Sequence, residues 1–156
     1  MHDPHDLSHL ADHHRDSIAK LVRDFDLSPH PEGGYYRETW RSERVDADGR
    51  ESGTAILFLL PAGVENRWHR VDAAEIWHHY AGGPLELSIS EDGRVVRSIL
   101  LGGDLAPGRT PQAIVPPHAW QAAKALDGYA LCGCTVSPAF RFETFELAEP
   151  GWRPGG

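Results

Sequence analysis

Apolar and polar positions alternate along this chain in a way that separates one helical segment from a long series of strands. Across residues 16–24, Ile18, Leu21 and Val22, with Phe25 just beyond, recur at the spacing of one helical face, and Asp16 or Ser17 is placed to cap the start. The segment His30-Pro31-Glu32-Gly33-Gly34 is turn chemistry that no regular element accepts. Beyond it, strands are predicted over 35–41, 54–60, 67–71, 75–80, 85–90, 95–101, 113–115, 119–124, 129–136 and 140–147, with turns at Gly82-Gly83-Pro84 and Asp92-Gly93. Many short strands with turn signals about every 8–12 residues imply an all-β fold, a sandwich or jelly-roll barrel, carrying one N-terminal helix.

The run Ala55-Ile56-Leu57-Phe58-Leu59-Leu60 is apolar on both faces, whereas a strand with one wet face would alternate. Something must cover its outer side, either the N-terminal helix or a second subunit. The helix is short, so a homodimer is the expectation.

Length and composition narrow the class. The chain's 156 residues form one domain with a real core. The expected boundaries are a flexible His-rich arm over 1–15, the domain over 16–149 and a loose tail over 150–156. A net charge of -8 repels phosphate backbones and anionic lipid, which argues against nucleic-acid and membrane partners. No apolar run reaches the roughly 20 residues of a membrane span, and the N-terminal residues lack the pattern of a secretory signal. Cys132 and Cys134 stand two apart in a strand, a poor geometry for a disulfide and not a CxxC motif, so they read as buried thiols in a reducing, cytoplasmic setting. Five of the ten histidines fall in the first fourteen residues; without a packed scaffold they read as a solvated arm rather than a metal site.

One segment carries chemistry. In GVENRWHRVDAAEIWHHYAG, from Gly63 to Gly82, a glycine is followed by His69, Glu75 and a closing glycine. This resembles the first cupin motif in every position but one, since Val71 stands where the motif has its second histidine. A fainter second motif falls on Pro116-Pro117-His118-Ala119-Trp120-Gln121, with Gln121 in place of the motif histidine. PHPEGGYYRETWRS, FLLPAG, RWHRVDAAEIWHHYAGGPLEL and VPPHAWQAA together are similar to the cupin 5 group, formerly a domain of unknown function. The resemblance covers nearly the whole chain after the arm. It implies a cupin double-stranded β-helix that binds a small molecule and dimerises, and it implies no particular reaction. The chain departs from the group at His78-His79-Tyr80, where the group more often reads His-Tyr-His, and at His118, where a small residue or glycine is usual.

The loss of two motif histidines changes the chemistry. His69 and Glu75 are the only strong metal ligands left, since the Gln121 amide is a poor donor, and stable sites typically want three. His79 lies about 13 Å along the strand from Glu75 and cannot complete the same sphere. No cofactor is therefore expected, a divalent metal on His69, Glu75 and Gln121 being the alternative. Without metal, His69 and Glu75 facing each other would form a hydrogen-bonded acid–base pair, suited to abstracting a proton beside a carbonyl. That points to a metal-independent isomerase or epimerase acting on a polar, sugar-like substrate. The alternatives are a non-catalytic binding module and a metal-dependent cupin with a reduced ligand set. Strand parity adds Arg67 to hold an anionic group, and Trp77 and His79 to contact the ligand together with Gln121. Tyr36 and Glu38 are expected to point inward beside Trp40, with Tyr36 as a proton donor opposite His69.

Overall fold

The computed structural model describes residues 5–156. Helix α1 (Asp12–Asp24) leads into strands β1 (Ser28–Pro29), β2 (Tyr35–Arg41), β3 (Thr54–Pro61), β4 (His69–Arg70), β5 (Ala74–Gly82) and β6 (Leu85–Ser90). Strands β7 (Arg97–Leu101), β8 (Gln112–Val115), β9 (Trp120–Ala125), β10 (Tyr129–Ser137) and β11 (Glu146–Leu147) follow, with a 3-10 turn at Phe142–Thr144 before the last. One sheet runs in the order β1-β2-β3-β10-β5-β8 and the other β11-β4-β9-β6-β7. Their inner faces form the core, as the two-residue period requires. Leu85, Leu87 and Ile89 of β6 and Leu60 of β3 are sealed from solvent, and Phe58 meets Trp77 edge to face with ring centroids 5.6 Å apart.

The two-faced apolar run of β3 is resolved within one chain. Phe58 and Leu60 face the barrel, whereas Leu57 and Leu59 lie on the other side, where Ile18, Leu21 and Val22 of α1 pack over them with Leu27 and Leu131. The short helix is thus the cover, and this pattern alone no longer calls for a second subunit.

Several boundaries differ from the sequence reading. Helix α1 begins at Asp12, within the stretch expected to fray, and Ala11 at its N-cap makes no side-chain cap, so neither Asp16 nor Ser17 has that role. Leu7 and Leu10 pack on the core clusters, and His9 Nε2 lies 2.7 Å from the Ala62 carbonyl, so a good part of the expected arm is held down. His2 falls outside the described residues. The expected loose tail is also anchored. Trp152 lies tilted against Trp120, with ring centroids 4.5 Å apart, and meets Trp68 edge to face at 6.4 Å, and Gly155 N–H donates to the Gly93 carbonyl.

Strand 95–101 starts only at Arg97, because the Asp92 carboxylate accepts from the N–H groups of Arg94 and Val95 and prolongs the turn. The predicted strand 140–147 becomes the 3-10 turn and the two residues of β11. Pro29, just before the predicted turn, pairs with Tyr35 in β1, an edge strand where its missing N–H costs nothing. At His118 the backbone φ is 67°, the left-handed region that glycine enters freely, which accounts for the usual small residue there.

Ile18 is the most deeply buried residue of the helix. Ile18→Ala should lower the unfolding free energy by about 2–5 kcal/mol, as measured by urea denaturation. Loss of less than about 0.5 kcal/mol would mean that the helix does not hold the outer face of β3.

Candidate functional site

A cavity opens at the end of the barrel where β5 begins and β10 ends. Its sheltered volume is small, about 30 Å³. His69 of β4, Glu75 of β5, Tyr36 of β2 and Cys134 of β10 line it, together with two residues of the first turn, His30 and Glu32.

Glu32 is the residue the sequence reading missed, and it changes the chemistry. His69 Nε2 lies 3.0 Å from Glu32 Oε2, and His69 Nδ1 lies 2.7 Å from the Arg67 carbonyl oxygen. Both neighbours are acceptors, so both ring nitrogens donate and the ring is an imidazolium. His69 therefore pairs with Glu32, not with Glu75 as expected. Burial opposes the charge on His69, but the Glu32 carboxylate, the Arg67 carbonyl and the nearby Glu75 outweigh it and lift the pKa from 6.5 to about 9. Burial also disfavours the Glu32 carboxylate, yet the His69 charge and hydrogen bond, with help from His30 and Asn66, hold its pKa below the ordinary value.

The turn delivers Glu32 by backbone constraint. Gly33 has φ 102°, and a Cβ there would collide with the Glu65 carbonyl oxygen. The Glu32 carbonyl accepts from Arg67 N–H at 2.8 Å, tying the turn to the segment that carries His69. His30 Nδ1 accepts from Glu32 N–H at 3.1 Å, which leaves its proton on Nε2. Burial pushes the His30 pKa down, consistent with a neutral ring.

Glu75 has a different setting. Trp77 Nε1–H donates to Gln121 Oε1 at 2.9 Å, which turns the Gln121 amide so that its Nε2 donates to Glu75 Oε1 at 2.6 Å. Burial raises the Glu75 pKa to about 7. The His69 charge, Gln121 and the Cys134 thiol pull it down, while the Glu32 carboxylate adds to the rise. Burial drives the Cys134 thiol up so far that it stays protonated, and Cys132 is pushed up to about 12.

The other expected site residues are dispersed. Gln121 is fully buried behind Glu75 and orients it, and Trp77 is a core residue in the same relay. Arg67 lies outside the cavity lining, with its guanidinium donating to the Ala148 carbonyl. His79 sits in a separate cleft beside Gly103 and bonds the Gly83 carbonyl at 2.7 Å. Glu38 is exposed and pairs with Arg41 at 2.7 Å. The Trp40 that argued for its burial is itself 54% exposed, because the β2–β3 register shifts between Glu38 and Trp40 and breaks the parity.

The positions that correspond to the cupin metal ligands do not together offer a metal site. Among the described residues no group of three or more His, Cys, Asp or Glu side chains is placed to hold one. His69 has both nitrogens directed at oxygen acceptors, Val71 offers no donor, and Gln121 Oε1 receives the Trp77 indole.

Two antiparallel sheets closed around an inward histidine and glutamate define a cupin barrel. The chain belongs to the Cupin_5 family, described as cupin superfamily (DUF985), which it matches over residues 19–148. It is similar to the uncharacterized protein YML079W of Saccharomyces cerevisiae, with 28% identity over 147 residues, 81% of this chain and 73% of the yeast protein. Among solved structures, protein SO0799 from Shewanella oneidensis is 36% identical with a TM-score of 0.79 over 83% of each chain. A hypothetical protein from Leishmania major is 31% identical with a TM-score of 0.77, covering 86% of this chain and 88% of the other. Oxalate decarboxylase from Bacillus subtilis, at 16% identity and a TM-score of 0.58 over 79% of this chain and 30% of the enzyme, shares the fold alone. Among the described residues no helix is long and apolar enough to cross a membrane.

The ion pair sets a pH dependence. His69 has a raised folded pKa, so its contribution to stability is full below 6.5 and is lost as pH rises through about 9. Glu75 is raised likewise, and its contribution is full below 4.5 and lost through about 7. The urea midpoint should therefore fall from mildly acidic to alkaline pH. NMR of the His69 ring should show it charged at neutral pH, and Glu32→Gln should move its titration down from about 9, because burial is then opposed only by the Arg67 carbonyl and Glu75. An unshifted titration in that variant would remove Glu32 as the partner.

Proposed function

We propose that the cavity is a metal-independent acid–base site that moves a proton at a carbon next to a carbonyl, as an isomerase or epimerase does. The observation that carries this reading is the contrast between two buried carboxyl groups in one cavity. Glu32 is locked as a charge by His69, whereas Glu75 has one strong donor, Gln121, and a pKa near neutrality. A group poised near the working pH can both take and return a proton, which is what such a reaction asks of its catalyst. In this reading Glu75 exchanges the proton. The His69–Glu32 pair is a positioning element that fixes the turn carrying His30 and Glu32 against the cavity. Tyr36, on the cavity wall, is the second proton donor.

A cupin that only binds its ligand is the competing reading, and proton exchange separates the two. Small carbonyl compounds incubated with the protein in D2O should gain deuterium at the α-carbon, followed by proton NMR. Glu75→Gln should reduce the rate at least 100-fold, the lower end of what a positioned acid–base group supplies. Ligand binding detected by shift changes at Val71 and Val136, with no exchange above the buffer rate, would leave a binding module and remove the catalytic role.

A further inference from the structure

Hydrogen-bond accounting inside the cavity says what kind of molecule fits it. Most of its polar atoms are already engaged. His69 spends both ring nitrogens on Glu32 and the Arg67 carbonyl, and Thr54 Oγ1 accepts from Phe140 N–H at 3.0 Å. Gln121, behind the wall, is committed at both ends to Trp77 and Glu75. Among the described residues, only the Tyr36 hydroxyl and His30 Nε2 line the cavity without a protein hydrogen bond, and Glu75 retains acceptor capacity. His30 and Tyr36 stand together, with ring centroids 4.5 Å apart, so the open polar groups gather on one side.

The rest of the lining is apolar and in part flat. Phe145 lies over His69 with ring centroids 5.7 Å apart and meets Phe140 at the same separation, and Ile56, Val71 and Val136 complete the wall. A polyol placed here would strip water from several hydroxyls and find partners for few of them, at a cost for each one left unpaired. A ring would gain both burial and stacking on the phenyl faces.

We infer that the ligand is a compact, planar or ring-bearing molecule, apolar in its body and carrying a carbonyl or hydroxyl at one edge, rather than a sugar. This rests on the acid–base reading for why a carbonyl is wanted, but the choice of body comes from the lining alone. The Tyr36 and His30 donors take the polar edge, and the phenyl faces of Phe140 and Phe145 take the ring.

Phenylacetone and dihydroxyacetone share a ketone with adjacent C–H bonds and differ in carrying a phenyl ring or hydroxyls, so they form the test pair. Binding is measured by NMR titration of the Glu75→Gln protein, where no proton transfer confuses the reading. Phenylacetone should bind at least ten-fold tighter. Phe145→Leu, which keeps the site apolar and filled, should cut that preference several-fold while leaving dihydroxyacetone unchanged. Equal affinities, tighter binding of dihydroxyacetone or no binding of either would overturn the ligand class. Deuterium exchange in the wild-type protein reports separately on proton transfer. Ring selectivity without exchange would therefore sink only the catalytic reading, and exchange without ring selectivity only this one.

Discussion

The end of this barrel depends on one buried ion pair, Glu32 with His69. Two charges withdrawn from water hold together only if the remaining hydrogen-bonding capacity is met, and here it is. His69 Nδ1 is satisfied by the Arg67 carbonyl, while Arg67 N–H in turn holds the Glu32 carbonyl. The chain between the two carbonyls is thereby clamped, so that a turn residue and a strand residue 37 positions apart act as one unit. Removing either partner would strand a charge in an apolar surrounding, a loss of about 3–5 kcal/mol in comparable pairs. Gly33 is part of the same constraint, because only a residue without a side chain passes the Glu65 carbonyl at this backbone angle.

What the sequence revealed and what it hid divide along one line. Inside regular strands the two-residue period is a reliable guide. Leu85, Leu87 and Ile89 point to the core, as do Ala119, Gln121 and Ala123, and His69 and Glu75 both reach the cavity. The turn at His30-Pro31-Glu32-Gly33-Gly34 was also readable as a turn. Its direction was not, because it is fixed by contacts with residues 65–67 that no local pattern encodes. An acidic residue wedged between a proline and two glycines, with no basic neighbour in sequence, was the available signal. Glu38 was misplaced for a different reason. It keeps the register of Tyr36, opposite Ile56, but its carboxylate turns to Arg41 near the sheet end, and the Trp40 that pointed to an inward face lies past a bulge.

The segments expected to be loose show a second limit. Local sequence reports whether a stretch forms a regular element, not whether it finds a surface. Trp152 sits among glycines and prolines, yet it lies against Trp120, whose other neighbour is the Arg70 guanidinium at 4.4 Å from the ring centroid. Leu7 and Leu10 likewise use the core surface left open beside α1. A large apolar side chain in an irregular segment is better read as a docking anchor than as a decoration of a frayed end.

The two carboxyl groups show how a single cavity can hold unlike protonation states. Both are buried, and burial alone would push both toward the neutral acid. Glu32 escapes because a full positive charge is bonded to it. Glu75 meets that same charge at longer range, with an amide as its nearest donor, and it also feels the repulsion of Glu32. The amide is held by the Trp77 indole, so its donor cannot swing away to an alternative acceptor. Exchanging that amide for the histidine of the cupin motif would place a second chargeable ring against Glu75 and hold it ionised. Burial, with the repulsion of Glu32, is therefore what holds the Glu75 pKa near neutrality, against the downward pull of the His69 charge and of the Gln121 amide.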